Sequence, residues 1–239
     1  MRFPRTYVNN TENGLRSFQA SLVLPGSTGS ITTGTTILAM VSPDKKTALI
    51  ASDGRVSGMQ FIVQEDFCKI FDCRIGFVAG AGDLGLIQQL IPAFRVSLEN
   101  ICNARGKLMS ASGAKTHLFH YYRHVVAESA RRGMCASLAL IALFWDGEAR
   151  ECRLYHLTGM SVLSENEFAT TGSGGLLVEG QRIATPNRPT TKEEMVRSAE
   201  SMIVGAAQKD GATNTNIFCG SIASGEFDLF QPNTTGIWQ

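Results

Sequence analysis

The chain has 239 residues, 44% of them apolar and 18% charged, and its 22 basic and 21 acidic residues leave a formal net charge of +1. That composition supplies a substantial core and excludes extended disorder. It also removes the electrostatic case for nucleic acid or an anionic membrane surface as the main partner.

Residues 1–34 are rich in Ser, Thr, Asn and Gly, and 25–30 read as a loop or linker. They contain no apolar stretch of the kind a secretory signal needs, so a cytoplasmic location is expected. Regular structure begins at Thr35. Residues 35–41 and 47–52 read as two strands of a hairpin, joined by a turn over 42–46. Another short strand is expected over 74–79, followed by a tight turn at Gly80-Ala81-Gly82. Ile87, Leu90, Ile91, Phe94, Leu98 and Ile101 then recur at helical spacing, which predicts a helix from 84 to about 104. A second helix is expected over 116–132, stopped by Gly133. Strands over 136–145, 152–157 and 168–171 follow. A third helix over 192–208 has Thr191 as its N-cap, with Glu193 and Glu194 in its first turn. A last hairpin joins 217–222 to 227–230 through Ser224-Gly225. Strands and helices come in runs and do not alternate singly. The pattern therefore predicts an α+β fold of antiparallel sheets with segregated helices.

No apolar run approaches the roughly 18 residues that cross a bilayer. The six cysteines are scattered in mostly apolar contexts and read as free thiols. Cys68 and Cys73 lack the second ligand pair that zinc requires, and no carboxylate completes a set with His117, His120 and His124. No metal and no cofactor are expected. Gly80-Ala81-Gly82-Asp83-Leu84-Gly85 does satisfy G-x-G-x-x-G. The acid that should bind a ribose, Glu99, falls inside a helical run and does not end a second strand, so dinucleotide binding is discounted.

One ordered set of short motifs remains. Gly34-Thr35-Thr36-Ile37 opens the compact domain, and Asp53-Gly54-Arg55 ends the second strand. Lys69 follows within Phe67-Cys68-Lys69-Ile70-Phe71, Ala79-Gly80 leads into the glycines, and Gly172-Ser173-Gly174-Gly175, Asp210 and Thr213 come last. In this order the set resembles the β-type subunits of the proteasome family, including the bacterial HslV peptidases, over nearly all of residues 35–230. The late Asp and hydroxyl are more similar to proteasome β subunits than to HslV. The extension and divergent sequence suggest a bacterial branch, such as the homologue described from β-proteobacteria.

The resemblance implies an N-terminal nucleophile hydrolase, a four-layer α/β/β/α sandwich with two antiparallel sheets. Residues 1–34 would be a propeptide or extension and 35–239 the hydrolase domain. Cleavage between Gly34 and Thr35 would free an α-amine to take the proton of the Thr35 hydroxyl. Its pKa of about 7.7–8.0 suits that task better than lysine's value of about 10.4. Lys69 would act as a cation beside Thr35, oriented by Asp53, and the Gly80 N–H would hold the oxyanion. Ser173, Asp210 and Thr213 would form the outer network around the amine; the family usually has serine where Thr213 stands. Gly34, lacking a Cβ, would permit the bend that self-attack needs. Thr36 is the rival nucleophile, but threonine precedes it.

Val56, Ser57, Phe67, Phe71 and Val78 are candidates to line the pocket for the residue before the scissile bond, or else ordinary core. The partners implied are peptide or unfolded-protein substrates, copies of the same chain in two stacked rings of 12 or 14 subunits, and an ATP-dependent unfoldase. A non-peptidase amidohydrolase and an unprocessed, non-catalytic ring subunit are the alternative readings.

Overall fold

The computed structural model describes residues 32–232, apart from 59–60, 134–135, 160, 166 and 186. Nearly all of the expected N-terminal extension, and Cys135, lie outside the described residues. In chain order the strands are β1 (Thr32–Thr33), β2 (Thr36–Val41), β3 (Thr47–Asp53), β4 (Val56–Gly58), β5 (Phe61–Gln64), β6 (Ile70–Cys73) and β7 (Gly76–Asp83). Helices α1 (Leu84–Arg105) and α2 (Ala111–Arg131) follow, then β8 (Leu138–Asp146), β9 (Glu151–Thr158), β10 (Ser161–Glu165) and β11 (Phe168–Gly172). Helices α3 (Gly175–Ala184) and α4 (Lys192–Ala207) precede the final hairpin, β12 (Ile217–Ala223) and β13 (Glu226–Phe230).

Two antiparallel sheets face each other. One runs β1-β7-β8-β9-β10, with β6 also on β7; the other runs β11-β2-β3-β12-β13. The apolar clusters sort the layers. Ile87, Phe94, Leu118 and Tyr122 of α1 and α2 pack on Val78, Leu140 and Phe144 of the first sheet. Ile37, Ile50, Phe77, Ile141 and Leu143 fill the space between sheets. Leu38, Leu49, Met195 and Ile203 join the second sheet to α4. The result is the four-layer α/β/β/α sandwich. Because the second sheet is covered on both faces, β2 is buried along its whole length, which is why it reads as a continuous apolar run. Each of its large side chains stabilises the fold by about 1.5–3 kcal/mol on burial.

Most elements stand where the sequence places them, with shifts of one or two residues at their ends. α4 has the expected Thr191 cap, made reciprocal by Glu194. Four differences have physical causes. The glycines at 80–82 do not form a tight turn, because β7 continues through them to Asp83. Gly82 has φ +112°, and a Cβ there would strike the Ser137 carbonyl, so glycine allows a close strand approach within the sheet. The second helix starts five residues early, at Ala111, because Ser110 accepts from the Gly113 N–H and caps it there. α3 was not expected; Leu176 and Ile183, 87% and 72% exposed, blur its apolar stripe. β1, which starts regular structure before the expected Thr35, the short β4–β5 hairpin, β6 and β10 were also missed, having too few residues to set a period.

β1 and β6 lie end to end along one edge of β7. β6 pairs with residues 76–79, and Thr32 and Thr33 pair with Asp83 and Gly82. The stretch of β7 between them, Gly80-Ala81, therefore faces a gap on that side. Gly34 and Thr35, just after β1, and Lys69, just before β6, stand at this gap.

Candidate active site

Asp53 ends β3 and is fully buried, and Lys69, 2% exposed, meets it from the approach to β6 with Nζ 2.8 Å from Oδ1. The same Oδ1 accepts the Thr36 N–H at 2.8 Å. Oδ2 accepts the N–H groups of Arg55 (2.9 Å) and Asn214 (3.3 Å). Every lone-pair direction of this carboxylate is thus engaged. Burial pushes the Lys69 ammonium below the ordinary lysine range, while the charge and hydrogen bond of Asp53 oppose that fall.

Within the Gly34–Thr35 peptide bond the nitrogen of Thr35 is an amide. It donates to Ser173 Oγ at 3.2 Å. Lys69 Nζ also reaches the Gly34 carbonyl oxygen, at 3.5 Å. The Thr35 hydroxyl is fully buried and, among the described residues, has no hydrogen-bond partner. An unpaired buried hydroxyl is costly, and it stands one peptide unit from a carbonyl that a cation already approaches.

On the other side of Thr35 lies a chain of hydroxyls. Ser173 Oγ donates to Asp210 Oδ2 at 2.6 Å, and Thr213 Oγ1 donates to the same oxygen at 2.7 Å. Thr213 Oγ1 also sits 2.6 Å from Thr36 Oγ1. Burial alone would raise the Asp210 carboxyl. Bonds from Ser173, Thr213 and the Ala212 N–H, with the charge of Lys69, bring it below the usual carboxylate range.

All the residues expected at the catalytic centre therefore converge, with Gly80 in the adjacent gap. The pocket candidates divide. Ser57 Oγ accepts the Gly34 N–H at 3.2 Å, so it touches the residue before the bond in question. Val56 and Phe67 form a small cluster with Leu84. Val78 is fully buried in the layer beneath α1, and Phe71, its partner across β6 and β7, packs half-buried on the same cluster. Three contributions escaped the sequence reading. Thr36 supplies both an amide and a hydroxyl to the network, Asn214 ties three segments together, and Ala212 closes over Gly34. A Cβ on residue 34 would collide with the Ala212 methyl.

The helix N-terminus that follows the glycines of the G-x-G-x-x-G segment is already capped. Asp83 caps α1 by accepting from the Leu86 N–H at 3.1 Å, which places a carboxylate where a phosphate would sit. Among the described residues, no three His, Cys, Asp or Glu side chains are grouped to hold a metal ion, and no helix is long and apolar enough to cross a membrane.

The family model described as "Proteasome subunit" matches residues 31–222. The chain belongs to the proteasome subunit family. Among its curated relatives is the proteasome subunit beta of Frankia alni, 26% identical over 80% of this chain and 68% of its own length. The proteasome subunit beta of Streptomyces griseus is 26% identical over 75% of this chain and 63% of its own. The proteasome subunit beta 2 of Ignicoccus hospitalis is 29% identical over 77% and 82%. The match begins just before β1, so the gap on β7 and the residues around Thr35 all fall within the proteasome-like region. The relatives are β-type, as the ordered motifs imply.

Proposed function

We propose that this proteasome-family chain is a threonine peptidase subunit whose nucleophile, Thr35, is released by its own attack on the Gly34–Thr35 bond. The observation that carries this reading is the Lys69 ammonium 3.5 Å from the Gly34 carbonyl oxygen, with the unpartnered Thr35 hydroxyl next to that carbonyl. Attack forms an Oγ–C bond to Gly34 and breaks the C–N bond to Thr35. The hydroxyl proton ends on the departing nitrogen, which already faces Ser173 and, through it, Asp210. Lys69 stabilises the oxyanion in between. Water then hydrolyses the ester, leaving a Gly34 carboxylate, a free amine and a free hydroxyl.

In the mature subunit the amine takes the Thr35 proton as a substrate carbonyl is attacked. Lys69 stays charged beside it, balanced by Asp53, and the Gly80 N–H faces the new oxyanion. The pairing of Thr32 and Thr33 with Asp83 and Gly82 supports β7 as the strand on which an extended peptide would lie once β1 has left. Substrates would be unfolded polypeptides or short peptides. Copies of the chain would form two stacked rings of 12 or 14 subunits served by an ATP-dependent unfoldase, in the cytoplasm. The exposed Leu176 and Ile183 of α3 supply apolar surface that a neighbouring subunit would cover.

The test is Thr35→Ala. The purified variant should keep residues 1–34 by intact mass and lose peptide hydrolysis by about 10³-fold or more. Full activity in that variant overturns the reading. Retention of residues 1–34 by the assembled wild-type protein would instead favour a non-catalytic ring subunit.

A further inference from the structure

We propose that Asn214 is a positioning residue. Its side-chain amide joins the corner carrying Asp53 to the segment carrying Lys69, and so sets how closely carboxylate and ammonium approach. The proposal rests on the threonine peptidase reading of the same site. Three segments converge here: 53–55 after β3, 65–69 before β6, and 213–216 before β12. Asn214 is buried and spans all three. Its Oδ1 accepts the N–H groups of Gly54 (3.0 Å) and Asn216 (3.2 Å). Its Nδ2 donates to the Glu65 carbonyl at 2.7 Å and lies 3.4 Å from Glu65 Oε2. Its own N–H goes to Asp53 Oδ2. Two N–H donors face one end of the amide and a carbonyl faces the other, so the partners fix which end is oxygen.

The neighbours leave this link little substitute. Phe67 N–H donates to Gly54 O at 2.9 Å, which ties the two segments further along. Asn216 Nδ2 donates to the Glu65 carbonyl at 2.9 Å but makes no bond to the Asp53 corner. Arg55 holds Glu65 Oε1 and the Gly211 carbonyl from the outer side. An aspartate at 214 could accept from Gly54 but not donate to Glu65, and a serine is too short to span both. The charged groups around Lys69 are Asp53 from β3, Arg55 from the corner after it and Asp210 from the loop after α4, with Glu65 beyond Arg55 and, once the chain is processed, the Thr35 amine. Of these, Asp53 alone bonds the ammonium. Its distance therefore decides how far the buried cation keeps its proton as pH rises.

The experiment compares wild type, Asn214→Ala and Asn216→Ala in two ways. For the processed proteins, the pH profile of peptide hydrolysis is measured. Asn214→Ala should lower kcat about tenfold, leave KM within about twofold, and move the alkaline limb to lower pH by roughly half a unit or more. Asn216→Ala should superimpose on wild type. Amide hydrogen exchange is measured separately. In Asn214→Ala, the Gly54 amide and the Thr36 amide, which is held by Asp53, should both exchange at least about tenfold faster. An unmoved limb with a lowered Tm, or unchanged exchange at Thr36, overturns the proposal. Absence of peptide hydrolysis in wild type defeats the functional reading alone, and the exchange measurement then decides the role of Asn214. Should the alanine variant not fold, Asn214→Ser carries the same expectations.

Discussion

Two carboxylates flank residue 35, and they are held in opposite ways. Asp53 is sealed from water, accepts four donors and faces a buried ammonium. Asp210 is half-exposed and bonded by neutral groups, two hydroxyls and an amide. The first arrangement fixes a charge pair in place. The second keeps a polar chain in touch with solvent, which suits the proton transfer proposed for the residue 35 nitrogen. Removing a partner should therefore damage the two sides by different amounts and in different observables.

The largest effect is expected on the sealed side. Asp53→Ala leaves an ammonium buried without its counter-charge and should destabilise the fold by about 3–5 kcal/mol, read by thermal or denaturant unfolding. Asp210→Ala should cost far less stability while still slowing processing. Equal losses in the two variants would erase the distinction.

Second comes the crowding at residue 34. Gly34→Ala forces a methyl against Ala212, and overpacking of about 1–3 kcal/mol should slow appearance of the mature mass roughly ten- to hundredfold. Ala212→Gly added to it should restore part of the rate, the Ser57 hydroxyl, 2.8 Å from the same Cβ, still crowding it. A double variant no faster than the single one would place the obstacle elsewhere.

Third is acid stability. The folded Asp210 carboxyl titrates below its unfolded value of about 3.9, so its contribution is present above that pH. It is lost as pH falls through the lower folded value. Ser173→Ala removes one of the bonds that depress it, so acid unfolding should begin at higher pH, followed by circular dichroism. A midpoint unchanged or moved to lower pH contradicts this assignment. The smallest effect belongs to Thr213→Ser, which keeps the hydroxyl and loses a methyl; activity within about twofold of wild type is expected.

The fold was legible wherever length and period were long enough. α1, α4 and the two hairpins read directly from apolar spacing, caps and turn residues. α3 and β6 did not, since a ten-residue helix with exposed Leu and Ile and a four-residue strand carry little pattern. The central site was legible because Asp53, Lys69, Ser173, Asp210 and Thr213 stand in the order of the proteasome β-type motifs they resemble; taken singly each reads as an ordinary surface or turn residue. The network roles of Thr36, Ala212 and Asn214 were not legible. Thr36 acts partly through its backbone N–H, which every residue but proline has, and Ala212 acts through bulk alone. An Asn in a polar loop reads as a turn former until the three segments it joins are seen together. The glycines at 80–82 misled for a related reason: sequence shows that glycine is needed, not whether a turn or a close strand contact needs it.

The placement of the hydroxyl and its target on adjacent residues of one chain bears on how maturation would be timed. A scission of that kind is a first-order event, with the reactants held together at an effective molarity no free partner reaches. Once the chain is folded and assembled, diluting the sample would leave the half-life for loss of the leading segment unchanged. A half-life that lengthened with dilution would point to one molecule trimming another.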